Sequence, residues 1–280
     1  MNNRAHPVLI YKMQHDFPNL TELRRQFPKT VENLASLRNR EMWLKRIWEI
    51  EQRWLEFREN PDKTEEVIFF DSAPKDLEIE VEFEIIYAGG TLGLLHAAVM
   101  ATKFERKVLV FDAHTVGKTH RDWNISDDEL QEFVKAELFT KEEIETAVNN
   151  RYKTGFVKFY DANSKIKTPP LFIDNVLDVA IEADKLLEIA AKKLKKSQTN
   201  SEIINNLRFI QAFVQKEKVL VECEDAKNGQ RRLFSAKLFV DATGTNSPVS
   251  RQINAGKSIT HVCPTVGTVA KGFRRASVEN

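Results

Sequence analysis

Apolar positions along this chain follow two different periods. Between residues 29 and 59, Leu34, Leu37, Leu44, Ile47, Trp48, Trp54 and Leu55 recur at spacings of three, four and seven, with Arg, Lys and Glu between them. That pattern predicts one long amphipathic helix. Asn60-Pro61-Asp62 should end it, because proline cannot continue the backbone ladder. Its tryptophans, Trp43, Trp48 and Trp54, are expected to pack on a core; contact with a partner or a membrane surface is the alternative. Residues 62–82 form an acidic, proline-containing connection. A β-rich run at 83–88 follows, then a helical pattern at about 91–103 and a second apolar run at 107–112.

Two capping boxes announce short helices, Ser126 with Glu129 and Thr140 with Glu143. Residues 152–172 read as strand-like or irregular and close on Thr168-Pro169-Pro170. Residues 175–197 have a helical period, with Leu177, Ile181, Leu186, Leu187, Ala190 and Leu194 on one side and the Lys192–Lys196 run as a solvated end. Strands are expected at 207–214, 217–224 and 231–240, with Asn228-Gly229 as the hairpin turn between the last two. The stretch from Ile85 to Ala101 carries no formal charge over 17 residues, but it contains three glycines and changes period midway. A buried strand–turn–helix accounts for it better than a membrane span, which needs about 20 apolar residues.

Composition narrows the function. Of 280 residues, 42 are Lys or Arg and 41 are Asp or Glu, a formal net charge of +1. Nucleic acid is not an expected partner, since phosphate binding needs a basic surplus. Met1-Asn-Asn-Arg-Ala-His lacks the apolar segment of a signal peptide. With no transmembrane segment expected either, the anticipated location is cytoplasmic or peripheral to a membrane. Cys223 and Cys263 form no CxxC pair, and the six histidines have no metal-ligand spacing.

Chemistry concentrates at Phe83-Glu-Ile-Ile-Tyr-Ala-Gly-Gly-Thr-Leu-Gly. A dinucleotide fingerprint G-x-G-x-x-G would place its glycines at 88, 90 and 93, and position 88 is alanine. The candidate loop is therefore Ala88, Gly89, Gly90, Thr91, Leu92 and Gly93, with Gly89 expected to take the turn role of the missing first glycine. Gly90 would admit a pyrophosphate, Gly93 would allow tight helix–strand packing, and the helix N-terminus would face the phosphates. Separated from Gly93 by 18 residues, Asp112 closes the second strand, where a carboxylate can accept from ribose hydroxyls. A later strand ends in Asp241-Ala242-Thr243-Gly244 and resembles the second flavin motif of large FAD-dependent oxidoreductases.

Gly-Gly-Thr-Leu-Gly at 89–93, Arg-Asp-Trp-Asn-Ile-Ser at 121–126, Asp-Ala-Thr-Gly-Thr-Asn-Ser-Pro at 241–248 and Val-Cys-Pro-Thr-Val-Gly at 262–267 occur in this order. Together they resemble the flavoprotein lycopene cyclases of the CruA/CruP type, over roughly residues 80–275. The resemblance implies noncovalent FAD, a carotenoid substrate met at a membrane, and closure of a ψ-end into a β-ring without net redox change. It places Gly90 and Gly93 at the pyrophosphate, Asp112 at the ribose, Arg121 and Asn124 near the cofactor, and Asp241 and Gly244 beside it. Asp112 stands where the family usually has glutamate, and Lys118 where arginine is common.

The family continues well beyond residue 280, so this chain is expected to be its N-terminal part. The expected fold is α/β. Residues 1–79 form a helical extension and linker, 80–151 the first part of a Rossmann-type FAD domain, 152–236 a mixed β/α substrate-side segment, and 237–280 the return to the FAD domain. Two alternatives stand beside the cyclase: an FAD-dependent oxidoreductase acting on another hydrophobic substrate, and a truncated, catalytically silent flavoprotein. No catalytic acid is assigned; Asp122, Asp161 and Glu182 are undistinguished carboxylates, and His96, His114 and His120 carry no specific signal.

Overall fold

The computed structural model describes residues 17–60, 63–74, 76–119, 123–159, 163, 165, 167–245, 247–257, 261 and 265. The chain divides into two compact units, one of Met1–Thr64 with Asn254–Val266 and one of Glu65–Ile253 with Gly267–Asn280.

In the first unit, helix α1 (Leu20–Gln26) opens at Asn19, whose side chain accepts from Glu22 N at 3.0 Å and so satisfies one of the exposed helix donors. Helices α2 (Pro28–Asn33) and α3 (Arg40–Glu59) follow. Leu23, Val31, Leu44 and Trp48 form a small core, with Phe17 edge-on to Trp48 at 5.9 Å. The single helix expected over 29–59 is thus two helices. The chain turns at residues 34–39, and Asn39 sits in the left-handed region at φ 61°, a conformation asparagine tolerates better than most residues. Periodicity misses this turn because Leu34 before it and Leu44 and Trp48 after it pack in the same small core. Of the three tryptophans, Trp48 is buried, Trp43 is exposed, and Trp54 is covered by the Arg58 guanidinium 4.6 Å from its ring.

The second unit contains β1 (Ile68–Phe70), β2 (Ile79–Ala88), α4 (Leu92–Thr102), β3 (Val108–Asp112), β4 (Trp123–Ile125), α5 (Asp127–Lys135), α6 (Lys141–Ala147), β5 (Val148–Arg151), β6 (Thr154–Val157), β7 (Leu171–Asp174), β8 (Val179–Ile181), α7 (Ala183–Lys196), β9 (Glu202–Asn205), β10 (Leu207–Val214), β11 (Val219–Asp225), β12 (Arg231–Asp241) and α8 (Pro248–Ile253). Seven strands form the main sheet in the order β1-β10-β11-β12-β2-β3-β9. Strands β12, β2, β3 and β9 are mutually parallel, while β10, β11 and β12 form an antiparallel meander. The fold is the expected α/β class with a parallel Rossmann-type sheet.

Parallel strands covered on both faces need apolar residues on both, and β2 and β3 supply them. Ile85, Tyr87, Val108 and Val110 point toward α4 and α7 and join Leu94, Ala98, Leu187 and Leu194. Ile86, Ala88, Leu109 and Phe111 lie on the other face with Val221, Cys223 and Phe234. Ile85–Ala101 is accordingly a buried strand, turn and helix, and among the described residues no helix is long and apolar enough to cross a membrane.

Two local expectations change. The connection at 62–82 contains β1 and the start of β2, because β12 is long enough to pair back to Ile79. The helix expected from 175 begins at 183. Val179-Ala180-Ile181 instead forms β8 between β4 and β5, burying Val179 and Ile181, as suits β-branched side chains. Both expected capping helices are present, as α5 and α6. Thr140 Oγ1 accepts from Glu143 N while Glu143 accepts from Thr140 N, and Glu129 accepts from Ser126 N.

Candidate functional site

The chain leaves β2 through α4 to reach β3 on one side, and β12 lies on the other side of β2. This reversal of strand order is a topological switch point, where the carboxyl ends of two neighbouring strands diverge to leave a crevice. The end residues are Ala88 of β2, Asp112 of β3 and Asp241 of β12. Asp241 is in register with Ala88, and Ala88 with Phe111. Main-chain bonds lace the three ends together: Gly89 N donates to Phe111 O, and Ala242 N to Ala88 O, both at 2.8 Å.

Each glycine of the turn answers a different steric demand. Gly89 has φ 121°, and a Cβ there would lie 2.1 Å from Ala242 O. It is the turn glycine, as expected, and the backbone after β12 occupies the space its side chain would take. Gly90 is closed in by the loop after β3, where a Cβ would meet Val116 Cα at 2.8 Å. Gly117 N also donates to Gly90 O at 2.8 Å. At Gly93 a Cβ would meet Ala242 Cβ at 2.9 Å and Tyr87 Cβ at 3.8 Å, the tight helix–strand contact expected of it. In this structure the approaches that require glycine are protein to protein, and Ala242 touches two of the three. The main chain at Thr91 is the opening that remains: Thr91 is half-buried, caps α4 without a side-chain hydrogen bond, and is followed by Leu92 at 68% exposure. The positive end of the α4 dipole is therefore presented at the mouth of the crevice.

Asp112 is held by its neighbours. Its Oδ2 accepts from Gly90 N and its Oδ1 from His114 N, each at 2.8 Å. A carboxylate offers about four lone-pair positions, so roughly two remain for an outside donor. The loop that follows is fixed by Asn205 Oδ1, which accepts from Val116 N at 2.9 Å, and by Asp184, whose Oδ1 accepts from Thr119 N at 2.8 Å while its Oδ2 pairs with Lys118 at 3.1 Å. Asp241 is used within its own turn: Oδ1 accepts from Thr243 N at 3.1 Å and Thr243 Oγ1 at 2.6 Å, and Oδ2 from the Ser247 hydroxyl. Gly244 is exposed with φ 85°, and no atom lies within 4 Å of where its Cβ would be.

Gly89, Gly90, Gly93, Asp112 and the Asp241–Gly244 turn thus converge at the strand ends with Ala88 and Thr91. Asn124 stands elsewhere, exposed on β4 in the three-stranded sheet and paired with Ala180. Arg121, Asp122, His120 and Asp161 lie outside the described residues, as does Cys263. His96 is exposed on α4 with Nδ1 hydrogen-bonded to the buried Tyr87 hydroxyl at 2.8 Å; burial pushes the Tyr87 phenol up to about 12. The sequence singles out none of Val116, Gly117 and Asn205, and shows Ala242 only as a member of the Asp241–Gly244 segment. Gly117, with φ 78°, was the one visible signal among them; an apolar or amide side chain that packs against a glycine has no signature of its own.

Strand order, glycine turn and terminal carboxylate define a Rossmann-type strand–turn–helix–strand unit. No family model matches the chain, and no curated protein matches it. Among solved structures it is similar to many at low identity, three of which illustrate the range. They are the flavin-dependent monooxygenase PieE in complex with FAD and substrate (14% identity, TM-score 0.48, covering 63% of this chain and 32% of that one), p-nitrophenol 4-monooxygenase PnpA from Pseudomonas putida DLL-E4 (16%, 0.49, 62% and 44%), and K252c-soaked RebC (13%, 0.46, 63% and 36%). The chain spans less than half the length of each of these proteins.

Proposed function

We propose that this chain forms the nucleotide-binding part of an FAD-dependent flavoprotein, and that the flavoprotein is a lycopene cyclase of the CruA/CruP kind. The observation that carries the first half is the convergence, at one switch point, of an uncapped α4 N-terminus, a terminal carboxylate on β3 and the Asp-Ala-Thr-Gly turn. The residues suit FAD. The amides at Thr91 and Leu92 would take the pyrophosphate, assisted by the α4 dipole. Asp112, already oriented by two backbone donors, would accept from the adenosine ribose. Gly244, with open space on its Cα, would let the chain pass close to the cofactor.

The cyclase half rests on the four ordered segments at 89–93, 121–126, 241–248 and 262–267. Bound FAD, in its reduced anionic form, would supply a delocalised electron-rich ring able to face a cationic centre. This chain's own part is to grip the diphosphate and ribose and hold the ring's tether at a fixed place; none of its carboxylates is assigned as the acid.

Two experiments test the two halves. Purified protein reconstituted with FAD and passed through a desalting column should retain the visible absorption of bound flavin; a colourless protein that takes up none overturns the flavin reading. Expression of the full-length flavoprotein that contains this chain in a lycopene-accumulating host should give β-ring products; unchanged lycopene beside a flavin-loaded full-length protein overturns the cyclase reading alone and directs attention to another hydrophobic substrate.

A further inference from the structure

The β6–β7 ribbon breaks the rule that strands of a water-soluble sheet obey. A two-stranded ribbon that rests on a protein core has one apolar and one polar face. Here the register pairs Phe156 with Phe172 and Val157 with Leu171, so at this end of the ribbon one face carries the two phenylalanines, with Thr154 and Asp174 behind them, and the other carries Val157 and Leu171, with Gly155 and the half-buried Ile173 behind them. All four side chains are exposed, Phe156 at 66% and Phe172 at 67%, and Phe159 just beyond β6 is 76% exposed. The phenylalanine rings meet across the strands at 6.1 Å, so they form a coherent surface rather than scattered residues. Docking against a protein layer would hide one of these faces and leave the other in water, whereas immersion in an apolar medium hides both.

Charge identifies the medium. Residues 151–174 contain five basic residues, Arg151, Lys153, Lys158, Lys165 and Lys167, against two acidic ones, Asp161 and Asp174. Arg151 pairs with Asp127 and Glu145, and Asp174 accepts from Thr154 Oγ1 at 2.6 Å. None of the four lysines takes part in an ion pair among the described residues. Lysines bracketing an aromatic apolar ribbon match an anionic lipid surface, with ammonium groups at the headgroups and rings below them. Four residues per strand extend about 13 Å, far short of the roughly 30 Å of a hydrocarbon core but enough to enter the headgroup–acyl boundary to a depth of about 5–10 Å.

We propose that the β6–β7 ribbon is a shallow membrane anchor that inserts its two apolar faces into an anionic lipid leaflet. The proposal stands whether or not the chain binds FAD, and its test is independent of flavin. The whole protein is sedimented with vesicles of phosphatidylcholine and of equal parts phosphatidylcholine and phosphatidylglycerol. It should bind the anionic vesicles at least about tenfold better than the neutral ones, and the difference should collapse in high salt. Phe156→Ser with Phe172→Ser should weaken binding about a hundredfold, or about tenfold per ring. Lys158→Glu with Lys167→Glu should weaken it only on anionic vesicles. Far-ultraviolet circular dichroism and unchanged melting verify that each variant is folded; should the phenylalanine pair not fold, Phe159→Ser, which lies outside both strands, carries the same expectation at about tenfold. Equal binding to both vesicles, binding indifferent to the phenylalanines, or no binding at all overturns the proposal. So does a soluble dimer that the phenylalanine variants dissociate, because a second copy would then be the occupant.

Discussion

Gly89→Ala tests whether the strand ends are locked as the structure shows. The substitution meets two obstacles at once. A residue with a Cβ at φ 121° is strained by about 2 kcal/mol. Its Cβ would also stand 2.1 Å from the Ala242 carbonyl oxygen, and a tolerable contact requires a shift of about 1 Å in backbone that belongs to a parallel pair. That shift breaks or lengthens the Ala242 N to Ala88 O bond, now 2.8 Å, for about 1 kcal/mol more. The expected loss is about 4 kcal/mol, or a melting temperature lower by about 8–16 °C for a body of this size. Gly244→Ala is the control. It shares the left-handed conformation at φ 85° but meets no atom within 4 Å, so strain alone applies, about 1 kcal/mol or about 2–4 °C. Both variants are measured by circular dichroism melting beside the parent protein. If the two shifts are alike, or Gly244→Ala is the more damaging, the close packing of the β12 return into the glycine turn is refuted.

Asp112→Ala leaves the Gly90 and His114 amides without their acceptor; it should destabilise the protein by about 1–3 kcal/mol and weaken FAD binding at least about tenfold by fluorescence titration. Asp112→Glu should retain most of the affinity. Gln252 accepts from Val67 N at 2.8 Å and Ile68 N at 2.7 Å and donates to Ile68 O at 2.9 Å; Gln252→Ala should release β1 and speed hydrogen exchange at those two amides while β2 stays protected. Because burial raises the Tyr87 phenol from 10.0 to about 12, its contribution to stability is fully present below pH about 10 and is lost as pH rises through about 12. Tyr87→Phe should flatten that alkaline decline in a melting series from pH 9 to 12. Thr140→Ala should lower stability by about 1 kcal/mol in denaturant titration through loss of the α6 cap.

The sequence by itself determined what depends on near neighbours. The continuous apolar runs at 85–88 and 108–111 required strands buried on both sides, and hence a parallel α/β sheet. The capping boxes at Ser126 and Thr140 started helices where expected, and the strands of the meander fell within about two residues of their expected bounds. Glycine spacing also located the turn, since a left-handed φ at Gly89 is a local demand. Tertiary structure decided what depends on partners distant in the chain. Val179–Ile181 carries a helical period yet forms a strand because β4 and β5 lie on either side of it. The same holds for the site. Gly90 reads as room for a phosphate, and in the structure a Cβ there would meet Val116, 26 positions away; the close packing expected at Gly93 turns out to be against Ala242, 149 positions away. A residue's own chemistry can be read from its letter; which atoms come to lie against it is settled only when strands far apart in sequence pair.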